Sequence, residues 1–310
     1  MKVNEKTKAV FLLLFFGIFN ACSSHHPANG LSGNYLPPHD SEIINIDSTT
    51  RLTPNKTAVT EVSIVSWNLK DFGASKSEAI MEFIANTVKD FDILIIQEVV
   101  GKDPGGAQAV ARLCSVLNRK GAKWDYAISD ITSSTTFKAE RYAYVWKPSR
   151  VTISGRPWLE KQYNLEIERE PFFATFALLD KKFTLVNFHA ITKSKQPETE
   201  IKYFKYLPEE YPELNLIFVG DFNCPQSHSV FIPLRKMGYA SVFTNQKTSL
   251  RKSCINLDCL ASEFDNIFYD RSKVNLLGSD VIHFYRNFGS LKEAEMVSDH
   301  IPIFFKCTLK

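Results

Sequence analysis

The sequence predicts an α/β protein in which two β-sheets pack against each other, and three observations predict it. Short runs that are apolar at every position recur along the chain, amphipathic helical stretches stand between the first of them, and 44% of the 310 residues are hydrophobic against 23% charged. A strand that is apolar throughout must be covered on both faces, so such strands imply layered sheets rather than one sheet with a solvent face. With only 13 Gly, 14 Pro and no low-complexity run, disordered and collagen-like chains are excluded. No internal repeat is visible.

Residues 1–21 read as an export signal rather than as part of the fold. Lys2, Lys6 and Lys8 precede an apolar stretch from Ala9 to Phe19, which is too short for a bilayer span of about 20 residues. The small Ala21 immediately before Cys22 has the layout of a bacterial lipoprotein cleavage site, with the lipid on Cys22. The expected location is therefore the bacterial cell envelope, periplasmic or outer surface, with plain secretion as the alternative. Residues 22–59 are polar and carry Pro27, Pro37, Pro38 and Pro54, as expected of a flexible tether. The remaining residues, 60–310, form one catalytic-size domain. Cleavage removes three lysines and one glutamate, so 37 basic and 34 acidic residues become 34 and 33. A polyanionic partner must then be held by local charge, because the whole surface is nearly neutral.

Within the domain, Val62 to Trp67 is the first strand, and Ser75-Lys76-Ser77-Glu78 has capping-box spacing ahead of a helix presenting Ile80, Phe83, Ile84 and Val88. Ile93 to Ile96 is the second strand, and Val110, Leu113, Cys114 and Leu117 mark the second helix. Further strands are expected at Tyr142 to Trp146, Phe172 to Leu178, Phe183 to Phe188, Leu216 to Val219, Ile267 to Tyr269 and Ile303 to Cys307. Five cysteines follow Cys22, an odd number in an oxidising compartment. Cys114 and Cys307 fall at packed positions; Cys254 and Cys259 flank a four-residue loop and can pair, or either can pair with Cys224. No second cysteine pair or nearby histidine completes a zinc site.

The chemistry stands at the strand ends, in Trp67-Asn68, Gln97-Glu98, Glu140-Arg141, Asn187-Phe188-His189, Gly220-Asp221-Phe222-Asn223, Phe264-Asp265-Asn266 and Ser298-Asp299-His300. Polar groups ending buried strands are costly unless paired or liganded, so their convergence on one rim implies a site. Glu98, Asp221 and Asp299 with Asn68 and Asn223 are hard oxygen donors suited to Mg²⁺, Mn²⁺ or Ca²⁺. His189 and His300 can serve as acid and base near neutral pH, and Glu140 and Asp265 are available to orient them. Hydrolysis of a phosphodiester needs these parts.

The series SWNLKDFG, DILIIQEV, ERYAYVWKP, EREPFFATF, VNFHAIT, GDFN, FDNIFYD and SDHIP, in this order, resembles the endonuclease/exonuclease/phosphatase superfamily, and within it the deoxyribonuclease I branch. The resemblance runs from Glu61 to the C-terminus. It implies a four-layer α/β sandwich, two mixed β-sheets flanked by helices, with the site at one edge of the sheets. It further implies metal ligation by Asn68 and Glu98 with Asp299 nearby, and a metal or scissile-phosphate contact from Asp221 and Asn223. His300 oriented by Asp265 would activate water, His189 oriented by Glu140 would protonate the leaving 3′ oxygen, and Arg169 would contact phosphate. Two departures stand out. The arginine that the branch places two residues after its metal glutamate, and sends into the minor groove, is Val100 here; Phe264 replaces a tyrosine.

The expected function is thus a divalent-metal-dependent endonuclease, Mg²⁺ being the first choice, acting on DNA as a monomer and leaving 5′-phosphates. A phosphatase or phospholipid phosphodiesterase on the same scaffold is the alternative, and a surface binding protein on a dead hydrolase fold is the third class. Arg141 either grips phosphate or pairs with a surface acid, and Lys193 and Lys195 belong to a solvated loop or touch phosphate. His25, His26, His39, His228 and His283 match no motif, and Trp67 and Trp146 read as core.

Overall fold

The computed structural model describes residues 60–102, 104–134 and 139–310. The expected signal, tether and lipidated Cys22 lie outside the described residues. Among those residues no helix is long and apolar enough to cross a membrane.

The first sheet contains β1 (Glu61–Phe72), β2 (Ile93–Val100), β3 (Asp125–Ile128) and β4 (Glu140–Trp146), with helices α1 (Glu78–Val88) and α2 (Gly105–Asn118) between its strands. The second is built from β5 (Thr152–Ile153), β6 (Trp158–Leu159), β7 (Phe172–Leu178), β8 (Lys181–His189), β9 (Leu216–Asp221), β10 (Tyr239–Ser241) and, later, β13 (Asp265–Asp270). Short helices α3 (Glu198–Ile201), α4 (Leu207–Glu210) and α5 (Ile232–Lys236) connect its strands, and β11 (Leu250–Ile255) and β12 (Asp258–Leu260) form a separate hairpin. The chain then returns to the first sheet through β14 (Val274–Val281), α6 (Leu291–Ala294) and β15 (Ile303–Leu309). The strand orders are β14-β15-β1-β2-β4-β3 and β10-β13-β9-β8-β7-β5, with β6 beside β7. Both sheets are mixed: β1 and β2 run parallel, as do β8 and β9, and the other pairs are antiparallel.

The layering follows from period-two alternation. Along β9, Ile217 and Val219 join the core shared with the first sheet, while Leu216 and Phe218 point to an outer core under the short helices. Phe172, Ala174 and Phe176 of β7 face inward and Phe173 faces outward in the same way. On the far side, Met81, Ile84, Ala85 and Val88 of α1 and Val110, Leu113, Cys114 and Leu117 of α2 are buried in the larger core. Helix, sheet, sheet, helix is the four-layer sandwich expected. Eight expected strands are present; six are lengthened toward the polar residues at their ends, β7 keeps its expected bounds and β15 extends to Leu309.

The differences are local. The cap of α1 is Ser77, whose Oγ accepts from Ile80 N at 3.3 Å, while Ser75 donates to the Asp71 carbonyl; the helix starts two residues later than the capping box implied. Cys254 and Cys259 are bonded to each other, leaving Cys114, Cys224 and Cys307 as buried thiols among the described residues. The two sheets are also tied by polar atoms. Gln97 on β2 donates to Asn187 Oδ1 on β8 at 2.6 Å, and Asn187 Nδ2 donates back to the Ile96 carbonyl at 3.0 Å.

Candidate active site

Parallel strands end at the same edge, so the ends of β1, β2, β8 and β9 meet on one rim, and β4 and β13, antiparallel to their neighbours, begin there. This topology gathers Asn68, Glu98, Glu140, His189, Asp221, Asp265 and His300. Register places His189 beside Asp221 across β8 and β9, and Asp265 beside Asp221 across β13 and β9.

Two backbone devices set the aim. The register of β2 slips between Ile96 and Val99 against β4, and Glu98 within this bulge takes φ 59, a left-handed conformation rare for a residue with a Cβ. The bulge turns Glu98 toward Asn68, whose Nδ2 donates to Glu98 Oε1 at 2.9 Å and to Asp221 Oδ2 at 3.1 Å. Gly220, at φ 138, precedes Asp221; a Cβ there would lie 2.1 Å from the Phe188 carbonyl oxygen, so only glycine lets β9 approach β8 this closely.

The two histidines converge. His189 Nδ1 meets Glu140 Oε2 at 2.8 Å and His300 Nδ1 meets Asp265 Oδ2 at 2.7 Å, leaving each Nε2 3.6 Å from the same atom, Asp221 Oδ2. Behind Glu140 stands Arg169, 8% exposed, whose Nη1 donates to Glu140 Oε1 at 2.8 Å, Nε to the His189 carbonyl at 2.9 Å and Nη2 to the Ala190 carbonyl. These bonds brace the His189 dyad from within the protein. Arg141 sits next to Glu140, with Nη1 donating to the Ser129 carbonyl at 2.9 Å. Asn223, at φ 49, turns the chain after β9, its amide N–H on Asp221 Oδ1 and its Nδ2 on the Ala190 carbonyl.

Three residues outside the expected set support the second dyad. Thr248, fully buried, donates to Asp265 Oδ2 at 2.6 Å and accepts from the Asp265 N–H. Ser298 Oγ donates to the Asn68 carbonyl and accepts from the His300 N–H at 2.9 Å. Trp67, read as core, is fully buried and also donates its indole N–H to the His300 carbonyl at 2.7 Å. The indole had a sequence signal, since Trp67 adjoins Asn68. Thr248 had none, because it lies outside every apolar run.

Electrostatics separate the dyads. Burial disfavours charge on both histidines, but Glu140 outweighs it at His189, and Asp265 with Asp221 outweighs it strongly at His300, so both hold their protons above the ordinary imidazole range. Glu140 is half-buried, which disfavours its charge, yet His189 and Arg169 hold its carboxyl below the ordinary range. Asp265 is pushed up, first by burial and then by Asp221, despite the opposing effect of His300. Both members of the His300–Asp265 pair therefore favour protons, the response expected where carboxylates outnumber cations. Burial likewise raises Glu98.

That excess negative charge suits a cation, and so do two stranded acceptors: Asn68 Oδ1 and Asp299 Oδ1 are buried without a hydrogen-bond partner. Asp221, Asp265 and His300 also present ligand atoms within 4.8 Å of one another. Using His300 as a ligand would occupy its Nε2, the nitrogen facing the site. Asn68, Glu98, Asp221 and Asp299 instead offer oxygen alone, the donor set for a hard divalent ion. Asp299 Oδ2 lies 3.4 Å from Lys70 Nζ, so it stands at the margin of this group.

In fold the chain is similar to solved structures of endonuclease/exonuclease/phosphatase family proteins. An endonuclease/exonuclease/phosphatase family protein of Bacteroides thetaiotaomicron superimposes with TM-score 0.58 at 18% identity, covering 81% of this chain and 98% of its own. A mannosyl-6-phosphatase of the same organism gives TM-score 0.54 at 19% identity over 80% and 99% of the two chains. In sequence the chain is similar to deoxyribonucleases. It is 26% identical over 269 residues to a deoxyribonuclease of Thioalkalivibrio sp. (strain K90mix), covering 80% of this chain and 71% of that protein. With deoxyribonuclease-1 of Oryctolagus cuniculus it shares 24% over 264 residues, 78% and 91% of the respective lengths. No family model matches the chain.

Proposed function

We propose that this protein is a divalent-metal-dependent endonuclease that hydrolyses DNA phosphodiesters to 5′-phosphate products. The observation that carries the reading is the convergence of His189 Nε2 and His300 Nε2, each 3.6 Å from Asp221 Oδ2 and each backed by its own carboxylate. The similarity to two deoxyribonucleases supports DNA as the substrate.

Asn68, Glu98, Asp221 and Asp299 would hold the ion, Mg²⁺ by their donor chemistry, which would supply positive charge to stabilise the phosphate as negative charge builds on it. His300 takes a proton from the attacking water as its oxygen bonds to phosphorus. His189 gives its Nε2 proton to the departing 3′ oxygen as the P–O3′ bond breaks. Glu140, kept ionised by Arg169, holds the proton on His189 for this task. Asp221 and Asp299 both help to hold the His300 proton, so a cation held by them would lower that proton affinity and favour the base role of His300.

Export and a lipid on Cys22 are part of the same proposal and rest on the sequence of residues 1–22. Radiolabelled palmitate on the parent but not on a Cys22→Ala variant is the expected result. The nuclease reading is tested by nicking of supercoiled plasmid with Mg²⁺, with chelator, and by the His300→Ala variant. The expected result is nicking abolished in the last two. Intact plasmid alongside phosphate release from a sugar phosphate would instead favour the phosphatase reading, for which the mannosyl-6-phosphatase neighbour speaks.

A further inference from the structure

The β11–β12 hairpin takes no part in the chemistry above, yet its root is attached to it. Ser249 bridges to His300, the Leu250 N–H donates to the Asp299 carbonyl at 2.7 Å, and Thr248 holds Asp265. At its far end, Ile255 pairs with Asp258 around a two-residue turn, Asn256-Leu257, with φ 49 and φ 68. A two-residue turn with both φ positive prefers glycine in its second position, because a branched side chain is strained there. This chain places Leu257 there, 94% exposed, beside Ile255, 57% exposed. The Cys254–Cys259 disulfide fastens the strands directly below the turn; Lys252 lies exposed on the same β11 strand, and Arg251 pairs with Asp258 at 3.3 Å. A strained backbone that is braced covalently in order to present two apolar side chains to water calls for an occupant.

We propose that this hairpin is a DNA-contacting wedge, with Leu257 and Ile255 entering the minor groove of the duplex on which the histidines act. Apolar side chains inserted at base steps, with basic residues on the flanking phosphates, are an established way to grip and bend a duplex. Continuity of the root with His300 and Asp299 puts the tip on the flank of the same substrate. The wedge supplies groove contact on a chain whose branch-typical groove arginine is replaced by Val100.

The inference rests on the nuclease reading, so its test separates the two. Full-length parent, Leu257→Gly, Ile255→Ser and Lys252→Ala proteins are compared on plasmid nicking, on hydrolysis of bis(p-nitrophenyl) phosphate, on thermal unfolding and on flotation with anionic phosphatidylglycerol vesicles. Leu257→Gly relieves the turn, so its melting temperature should equal or exceed the parent's, while kcat/KM on duplex DNA falls about tenfold and small-diester hydrolysis is unchanged. Ile255→Ser should act in the same direction, and Lys252→Ala should flatten the salt dependence of nicking by about one phosphate contact. Full nicking by both Leu257→Gly and Ile255→Ser overturns the wedge alone. Equal losses on DNA and small diester overturn it as well, because the hairpin would then act only on the site's geometry. Vesicle binding lost with Leu257, with nicking intact, assigns the tip to a membrane instead. A parent that cleaves the small diester but not DNA removes the nuclease reading and the wedge with it.

Discussion

The His189 and His300 dyads look alike from Asp221 and differ behind. Both present Nε2 at 3.6 Å to one oxygen, and both put Nδ1 on a carboxylate. Glu140 is backed by the Arg169 guanidinium, a full charge, whereas Asp265 is backed by the Thr248 hydroxyl and lies beside a second carboxylate, Asp221. The first dyad is internally compensated and needs nothing more. The second carries surplus negative charge and is complete only with a proton or a cation. Two imidazoles of matching geometry can thus perform opposite proton transfers, because the difference lies in what stands behind the carboxylates.

The comparison breaks most sharply if either histidine is dispensable. His189→Ala and His300→Ala should each lower plasmid nicking at least about a hundredfold. Full activity in either variant would refute the paired scheme. Arg169→Met should cost about 3 kcal/mol of stability in a urea titration, because it removes the guanidinium charge that compensates the half-buried Glu140 and leaves the His189 and Ala190 carbonyls without their donor. Thr248→Val removes the hydrogen bond to the Asp265 carboxylate together with the acceptor of the Phe264 and Asp265 N–H groups, and should cost about 1–3 kcal/mol. The reverse order of these two would mean that the dyads are not supported as described.

The smallest effect is in the pH dependence of stability. Glu140 is depressed, so its contribution is present above the ordinary carboxylate value of 4.5 and disappears as pH falls through its folded value. His189 is raised, so its contribution is present below the ordinary value of 6.5 and disappears as pH rises through its folded value. Glu140→Gln should therefore destabilise most between 4.5 and 6.5, with the gap to the parent narrowing on both sides. A pH-independent gap would mean that Glu140 acts by packing alone.

Most of this site was legible because the apolar runs of these strands break at Asn68, Glu98, His189, Asp221 and Asp265, passing from apolar to polar within one or two residues. What was not legible was third-party support. Thr248 lies in a loop, and Arg169 in EREP gives no sign of whether it faces substrate or a carboxylate. The bulge at Glu98 is a property of how β2 pairs with β4, which the local sequence does not encode. The strands that escaped the sequence reading, such as β14 and β11, are largely exposed and so lack the apolar runs by which the buried strands were found. The cap at Ser77 shows the same limit, since Ser75 has the capping-box spacing to Glu78 and Ser77 nevertheless holds the cap.

The Gln97–Asn187 bridge ties catalytic competence to the seating of one sheet on the other. Glu98 follows Gln97 directly and His189 follows Asn187 by two residues, so each amide is moored next to half of the site. An oil-like interface alone would let the sheets creep by a fraction of a residue at little cost; two directional bonds pin them like a dowel. Slippage would silence the protein while leaving its secondary structure whole. Under gentle denaturant, turnover should fade before the far-ultraviolet circular dichroism does, and a Gln97→Leu protein should show the wider interval between the two.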